Sequence, residues 1–255
     1  MEAECTKKTR GRVGAVILAG GQGKRMNSTV QKQYMLLAGR PLLVYALEAF
    51  EQSPVDEIVL VTGAGEEDYV MREILAPHQI TKVSAVVQGG KERYHSVYAG
   101  LLSLHDCDYV LIHDGARPLV DQGIIGRAIA GAVAEDACVV GMPVKDTIKV
   151  ADSDDYAADT PDRSSLWQVQ TPQAFAYPLI RSAYDALMAD PALQAGITDD
   201  AMVVEKLAGN RIKLIEGSYE NLKVTTPEDL VVAEALLKRR AAVSNSASNK
   251  KMFCN

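Results

Sequence analysis

The chain has 255 residues, 47% hydrophobic and 24% charged, an ordinary balance for a globular protein with a substantial core. Its net charge of -6 argues against nucleic acid as a partner, since such binders carry a basic surplus on some face. No run reaches the roughly 18 to 20 apolar residues that cross a bilayer, so no membrane partner is expected.

The four cysteines, Cys5, Cys107, Cys138 and Cys254, form no CxxC pair, which points to a reduced, cytoplasmic protein. MEAECTKKTRGR at the start has no apolar stretch, so no secretory leader is expected. Residues 1–12 and 241–255 read as disordered tails around a single domain over 13–240.

The first strand is VGAVIL, and it runs into AGGQGKRM. Gly20, Gly21 and Gly23 give up side chains just before two cations, Lys24 and Arg25, with Lys32 close behind and no acid among them. Such a loop suits an anion that approaches the backbone. One charge pair at about 4 Å is worth on the order of 4 kcal/mol before desolvation. A P-loop is excluded because Leu18 and Arg25 occupy positions that require Gly and Ser or Thr. A dinucleotide fingerprint is excluded because Met26 stands at its third glycine.

Further along, the strands EIVLVTG, KVSAVVQ, DYVLIHD, ACVVGMPV and RIKLIEG alternate with amphipathic segments. PLLVYALEAFEQ, EEDYVMREILA, RYHSVYAGLLSLH and QGIIGRAIAGAVAED read as helices, as do YPLIRSAYDALMAD, TDDAMVVEKLAG and TPEDLVVAEALLKRR. The pattern predicts an α/β fold, a doubly wound, mostly parallel sheet covered on both faces. A ligand site then belongs at the carboxyl ends of the strands. AGGQGKRM, QGGKERYHS and HDGARP leave those ends. Residues 145–173 are long, at first acidic and poor in core residues, so they read as a surface loop or as an ordered, docking arm over 145–170. Thr226, with Asp229 three residues on, starts the last helix.

LAGGQGKRM followed by QKQY resembles the signature of nucleotidyltransferases that activate phosphorylated sugars and polyols. With GGKERYHSV, HDGARP, PVKDTIK, SSLWQVQTPQAF, TDDA and NLKVTTPEDL in order, the chain from 13 to 237 resembles the 2-C-methyl-D-erythritol 4-phosphate cytidylyltransferase family. The ribitol-5-phosphate cytidylyltransferases are similar but share less of DTIK and SSLWQVQTPQ. The resemblance implies transfer of CMP from CTP to a polyol phosphate with release of pyrophosphate, a divalent metal (normally Mg²⁺), and a homodimer whose arms reach across to the partner.

It also implies roles for individual residues. Arg25, Lys32 and Lys223 match catalytic positions; Ala19, Gly20, Gly21, Gly23, Gly90, Ser96 and Asp114 match nucleotide contacts, with Asp114 also the metal ligand. Arg117, Thr147, Arg163, Thr171 and Thr225 match polyol-phosphate contacts, Thr147 and Arg163 being lent to the partner subunit. Lys91 stands where the family often has an acid. Lysine cannot accept a hydrogen bond from the amine of cytosine, so that contact comes from backbone or base choice changes. Asp199 and Asp200 fit a helix cap as well as a functional role, and His113 fits a packed residue. A non-catalytic nucleotide-binding module is the rival from another class; retention of Arg25, Lys32, Asp114 and Lys223 argues against it.

Overall fold

The computed structural model describes residues 11–21 and 31–252. In chain order the elements are β1 (Val13–Leu18), β2 (Leu36–Leu37), β3 (Arg40–Pro41), α1 (Leu42–Glu51), β4 (Glu57–Thr62), α2 (Glu67–Tyr69), β5 (Val83–Gln88), α3 (Arg93–Leu102), β6 (Tyr109–Asp114), α4 (Gln122–Glu135) and β7 (Ala137–Pro143). There follow β8 (Val150–Ala151), β9 (Ala157–Asp159), β10 (Trp167–Ala176), α5 (Tyr177–Ala189), α6 (Asp200–Ala208), β11 (Lys213–Glu216) and α7 (Pro227–Met252).

Seven strands form the central sheet, in the order β11-β7-β10-β6-β1-β4-β5. β1 lies parallel to β4 and β6, β4 to β5, and β7 to β11; β10 alone runs antiparallel, between β6 and β7. The β-branched runs explain why the sheet is buried on both faces. Val13, Ala15 and Ile17 of β1 pack with Leu43, Leu47, Ile124 and Ala128 of α1 and α4. Val16, between them, joins Val97, Leu101, Tyr184 and Val204 of α3, α5 and α6 on the opposite face. This period of two on a sheet sandwiched by helices is the doubly wound arrangement. The chain builds outward from β1 to β4 and β5, then returns to add β6 on the other side. A crevice opens at that reversal, beyond the carboxyl ends of β1 and β6.

Three differences from the sequence reading have physical causes. First, β10 was not foreseen; WQVQTPQAFA carries glutamines and a proline, which argue against a central strand. The strand absorbs Pro172 where its register with β7 breaks, between Val169 and Gln173. The arm therefore ends at residue 166 and not at 170. Second, α2 lasts a single turn and continues as a π-helical Val70–Leu75. Third, α7 runs past residue 240 to Met252, with no Gly or Pro to stop it.

The arm itself is a small exposed hairpin in which β8 pairs antiparallel with β9. Tyr156 at its tip is 74% exposed. At its root, the Val144 amide donates to the Leu166 carbonyl at 3.0 Å and the Lys145 ammonium sits 3.4 Å over the Tyr219 ring. Among the described residues no helix is long and apolar enough to cross a membrane.

Candidate active site

The crevice at the β1/β6 reversal holds about 670 Å³. Ala19, Gly20 and Gly21 form one wall, following β1, and Gly90, Lys91, Glu92, Arg93 and Ser96 form the other, following β5. Asp114 lies at the end of β6, and it lines the crevice with Lys32 and Lys223.

The backbone of both walls is pinned to β4. The Ala19 amide donates to the Val61 carbonyl at 2.7 Å, and the Gly89 amide to the Thr62 carbonyl at 2.8 Å. Gly20 is confined by this packing: a Cβ there would meet the Thr62 carbonyl oxygen at 3.0 Å. Among the described residues Gly21 is not confined, since only Lys32 Cε, at 3.9 Å, would come within 4 Å. Its glycine therefore keeps space open on the crevice side. Ser96 Oγ accepts from the Gly90 amide at 3.1 Å, tying the second wall to the first turn of α3.

Asp114 is the electrostatic centre. Lys223 Nζ lies 2.8 Å from its Oδ2, Arg93 Nε 3.6 Å from its Oδ1, and Arg117 Nε 4.0 Å from its Oδ2. Burial raises the Asp114 pKa, but the charges of Arg93, Lys223 and Arg117 outweigh it and hold the carboxyl far below the usual range. It is therefore ionised at neutral pH. Lys223 reaches it because the Val224 amide donates to the Ala116 carbonyl at 2.8 Å and Arg117 Nη1 donates to the Asn221 carbonyl at 2.7 Å. Two segments more than a hundred residues apart are thus laced together under the crevice.

A second layer fixes Asp114 from below. Its amide donates to Thr171 Oγ1 at 3.1 Å, and that hydroxyl lies 3.0 Å from His113 Nδ1. His113 Nε2 is 3.3 Å from the Arg117 carbonyl, which can only accept. Nε2 therefore carries the proton, and Nδ1 accepts from Thr171. Burial pushes the His113 pKa down to about 4, so the ring stays neutral. His113 is a packed residue that orients its neighbours.

Of the residues singled out from the sequence, Ala19, Gly20, Gly21, Lys32, Gly90, Ser96, Asp114 and Lys223 line the crevice. Arg117 and Thr171 sit behind Asp114. Thr225 does not line it: its hydroxyl donates to Asp229 Oδ2 at 2.8 Å and helps to start α7. Thr147 and Arg163 stand exposed on the arm, where Arg163 Nη1 donates to the Lys145 carbonyl at 2.8 Å. Gly23 and Arg25 lie outside the described residues.

Arg93 was missed. Its cation beside the glycine pair of GGKERYHS was a usable signal, but its partner Asp200 is 107 residues away.

From residue 13 to 239 the chain matches the family described as 2-C-methyl-D-erythritol 4-phosphate cytidylyltransferase. The chain belongs to that family. A protein of that name from Lachnospira eligens is 52% identical over 225 residues, 88% of this chain and 98% of its own. Another of that name, from Lachnoclostridium phytofermentans, is 50% identical and covers 89% of this chain and 97% of its own. The crystal structure of 4-diphosphocytidyl-2C-methyl-D-erythritol synthase from Anaerococcus prevotii superposes with a TM-score of 0.77 at 32% identity, covering 89% of this chain and 96% of that one. The structure from Thermus thermophilus gives a TM-score of 0.71 at 30% identity, covering 89% and 99%.

The chain is thus a nucleotidyltransferase of the cytidylyltransferase type, an enzyme family that generally uses a divalent metal. The crevice fits such an ion in its donor chemistry. Among the described residues no three His, Cys, Asp or Glu side chains cluster to cage a metal. The crevice instead offers the ionised carboxylate of Asp114 beside cations suited to phosphates, with Glu92 also in its lining. Mg²⁺ binds in this way, through one or two carboxylates with phosphate oxygens and water as the remaining ligands.

Proposed function

We propose that this crevice transfers CMP from CTP to 2-C-methyl-D-erythritol 4-phosphate, giving 4-diphosphocytidyl-2-C-methyl-D-erythritol and pyrophosphate. The observation that carries the reading is the ionised Asp114 at the floor of a glycine-walled crevice lined by Lys32, Lys91, Arg93 and Lys223.

The nucleophile is a phosphate oxygen of the polyol substrate, largely dianionic at neutral pH because its second pKa is near 6. It attacks the α-phosphorus of CTP, and the bond to the β-phosphate oxygen breaks as pyrophosphate leaves. No proton has to be removed, so no general base is required. This agrees with a crevice in which the Asp114 carboxyl is held ionised among cations. The protein supplies placement and charge.

Gly20, Gly21 and Gly23 let backbone amides approach the triphosphate. Lys32 and Arg25 balance the charge that develops around the α-phosphorus, and Lys223 holds the attacking phosphate. Asp114 would hold Mg²⁺, which when bound would neutralise triphosphate oxygens. Gly90 and Ser96 face the base, and Arg117 and Thr171 brace the floor of the polyol side.

Arg163 and Thr147 complete the partner's crevice in a homodimer built through the arm. The hairpin supports this, because its residues stand exposed in the single chain, Tyr156 at its tip above all. A cytoplasmic location fits the reading of reduced cysteines; Cys107 and Cys138 are free and buried.

Pyrophosphate release, measured with each of the four nucleoside triphosphates and with both polyol phosphates, tests the assignment. CTP with methylerythritol phosphate is expected to react, and only with divalent metal. Equal turnover of ribitol 5-phosphate would remove the substrate assignment, and faster turnover of UTP would show that Lys91 has altered base choice.

A further inference from the structure

Asp200 does not line the crevice. It is fully buried at the start of α6, yet it holds one of the crevice cations in a two-pronged grip. Its Oδ1 and Oδ2 accept from Arg93 Nη1 and Nη2, both at 2.7 Å. This fork uses the far edge of the planar guanidinium and leaves Nε, which lies 3.6 Å from Asp114 Oδ1. Lys223 approaches the other oxygen of Asp114, Oδ2, at 2.8 Å. The two cations thus hold different oxygens, and the carboxylate cannot rotate without losing both.

The grip is itself anchored. Tyr184 donates its hydroxyl to Asp200 Oδ1 at 2.6 Å. Gln173 Oε1 accepts from the Asp200 and Ala201 amides at 3.0 and 2.9 Å. Gln173 Nε2 donates to Asp199 Oδ2, while Asp199 Oδ1 caps α6 by accepting from the Met202 amide, both at 2.9 Å. Asp199 is thus the helix cap, whereas Asp200 points its charge at Arg93. A helix start needs only the first of these acids. The second puts a buried charge where a neutral residue would close the core at lower desolvation cost.

We propose that Asp200 is a positioning residue for the transfer reaction, fixing the orientation of the Asp114 carboxylate through Arg93. Without that grip, a guanidinium with free Nη groups would turn its fork onto Asp114 and occupy the oxygens that face the crevice. The inference rests on the reading of Asp114 as the metal-holding carboxylate.

The test compares the intact enzyme with Asp200→Asn, Asp200→Glu, Arg93→Lys, the Asp200→Asn/Arg93→Lys pair and Asp114→Asn. Each is measured for Tm, for kcat and KM, and by calorimetry for CTP affinity with and without Mg²⁺. Asp200→Asn is expected to lose about 10- to 100-fold in kcat. It should also lose most of the gain in CTP affinity that Mg²⁺ provides, while metal-free CTP affinity holds. Asp200→Glu keeps the charge; it should recover part of the loss, and it carries the test if the amide variant does not fold. In the Arg93→Lys background, Asp200→Asn should change kcat by no more than about twofold, because the route through Arg93 is already cut.

An Asp200→Asn enzyme with a lowered Tm but normal kcat and a normal Mg²⁺ gain would overturn the proposal, leaving Asp200 a structural ion pair. Equal losses in both backgrounds would overturn the route through Arg93. If Asp114→Asn kept its Mg²⁺ gain, the reading of Asp114 would fail first, and that result is distinct from either of the others.

Discussion

Gly20 and Gly21 are neighbours in one loop, and the structure gives them different reasons for being glycine. A methyl group at Gly20 would stand 3.0 Å from the Thr62 carbonyl oxygen and 3.2 Å from its carbon. Neither side can give way. β1 and β4 are paired along their length, and the Thr62 carbonyl already accepts from the Gly89 amide. Forcing one methyl group into such packing costs about 1–3 kcal/mol. In a chain of this size each kcal/mol lowers Tm by roughly 2–4 °C. At Gly21 the same methyl group would meet, among the described residues, only Lys32 Cε, at 3.9 Å, an ordinary contact distance, and the backbone there is not left-handed. Gly21→Ala should therefore leave Tm unchanged, or raise it slightly by restricting the unfolded chain. It should weaken CTP binding at least tenfold, about 1.4 kcal/mol, because the methyl group occupies the space left for phosphate. Thermal unfolding by circular dichroism and CTP titration by calorimetry separate the two effects. If Gly20→Ala kept the parent Tm, or if Gly21→Ala bound CTP normally, the division of labour argued here would be wrong.

Asp114→Asn should reduce turnover at least about a hundredfold while the protein stays folded, because an amide is a poor Mg²⁺ ligand; near-normal activity at saturating Mg²⁺ would return Asp114 to a strand-end cap. Thr171→Val leaves the Asp114 amide and His113 Nδ1 without their shared partner, and should cost about 1–3 kcal/mol in chemical denaturation. His113 binds its proton more weakly folded, at about 4, than its ordinary 6.5, so the unfolded chain holds more protons between those values and stability falls as pH drops through that window. The loss is on the order of 3 kcal/mol, and the His113→Gln variant should show a flatter stability profile between pH 6.5 and 4. For the arm, inactive Arg25→Ala and Arg163→Ala proteins are allowed to exchange subunits. Random pairing should restore roughly a quarter of the sites, and mixtures that stay inactive with exchange confirmed by mass spectrometry would rule out a crevice completed in trans.

What could be read in advance depended on how local the signal was. β1, β4 and β6 are short runs rich in Val, Ile and Leu that end in aspartate or lead within two residues into glycine, so both the strands and the crevice beyond them followed from neighbouring residues. β10 did not, because Gln168, Gln170, Pro172 and Gln173 are polar or strand-breaking and find their roles only through distant partners. Gln170 donates to the Ser218 carbonyl at 2.8 Å, and Gln173 receives the start of α6. The juxtaposition of Lys223 with Asp114 came from resemblance alone, since no periodicity links residues so far apart. Arg93 and Asp200 are the clearest case. Each looks like an ordinary charge beside a helix start, and only the fold shows that they share one buried bond pair.

The position of β10 also bears on how the chain can be assembled. β6 and β7 never touch as strands; each pairs with β10, and β7 has only β11 on its other side. As the chain emerges from the ribosome, β1, β4, β5 and β6 can form a four-stranded parallel block with α1 and α3 already in place. β7 then has no edge to join until residues 167–176 have been made, some thirty positions after it begins. The hairpin between them is therefore synthesised while its two flanking strands are still apart, and closure of the sheet is what brings its root together. Nascent chains halted before residue 167 should be protected from protease through β6 and cleaved within β7, whereas chains extended past 176 should resist in both.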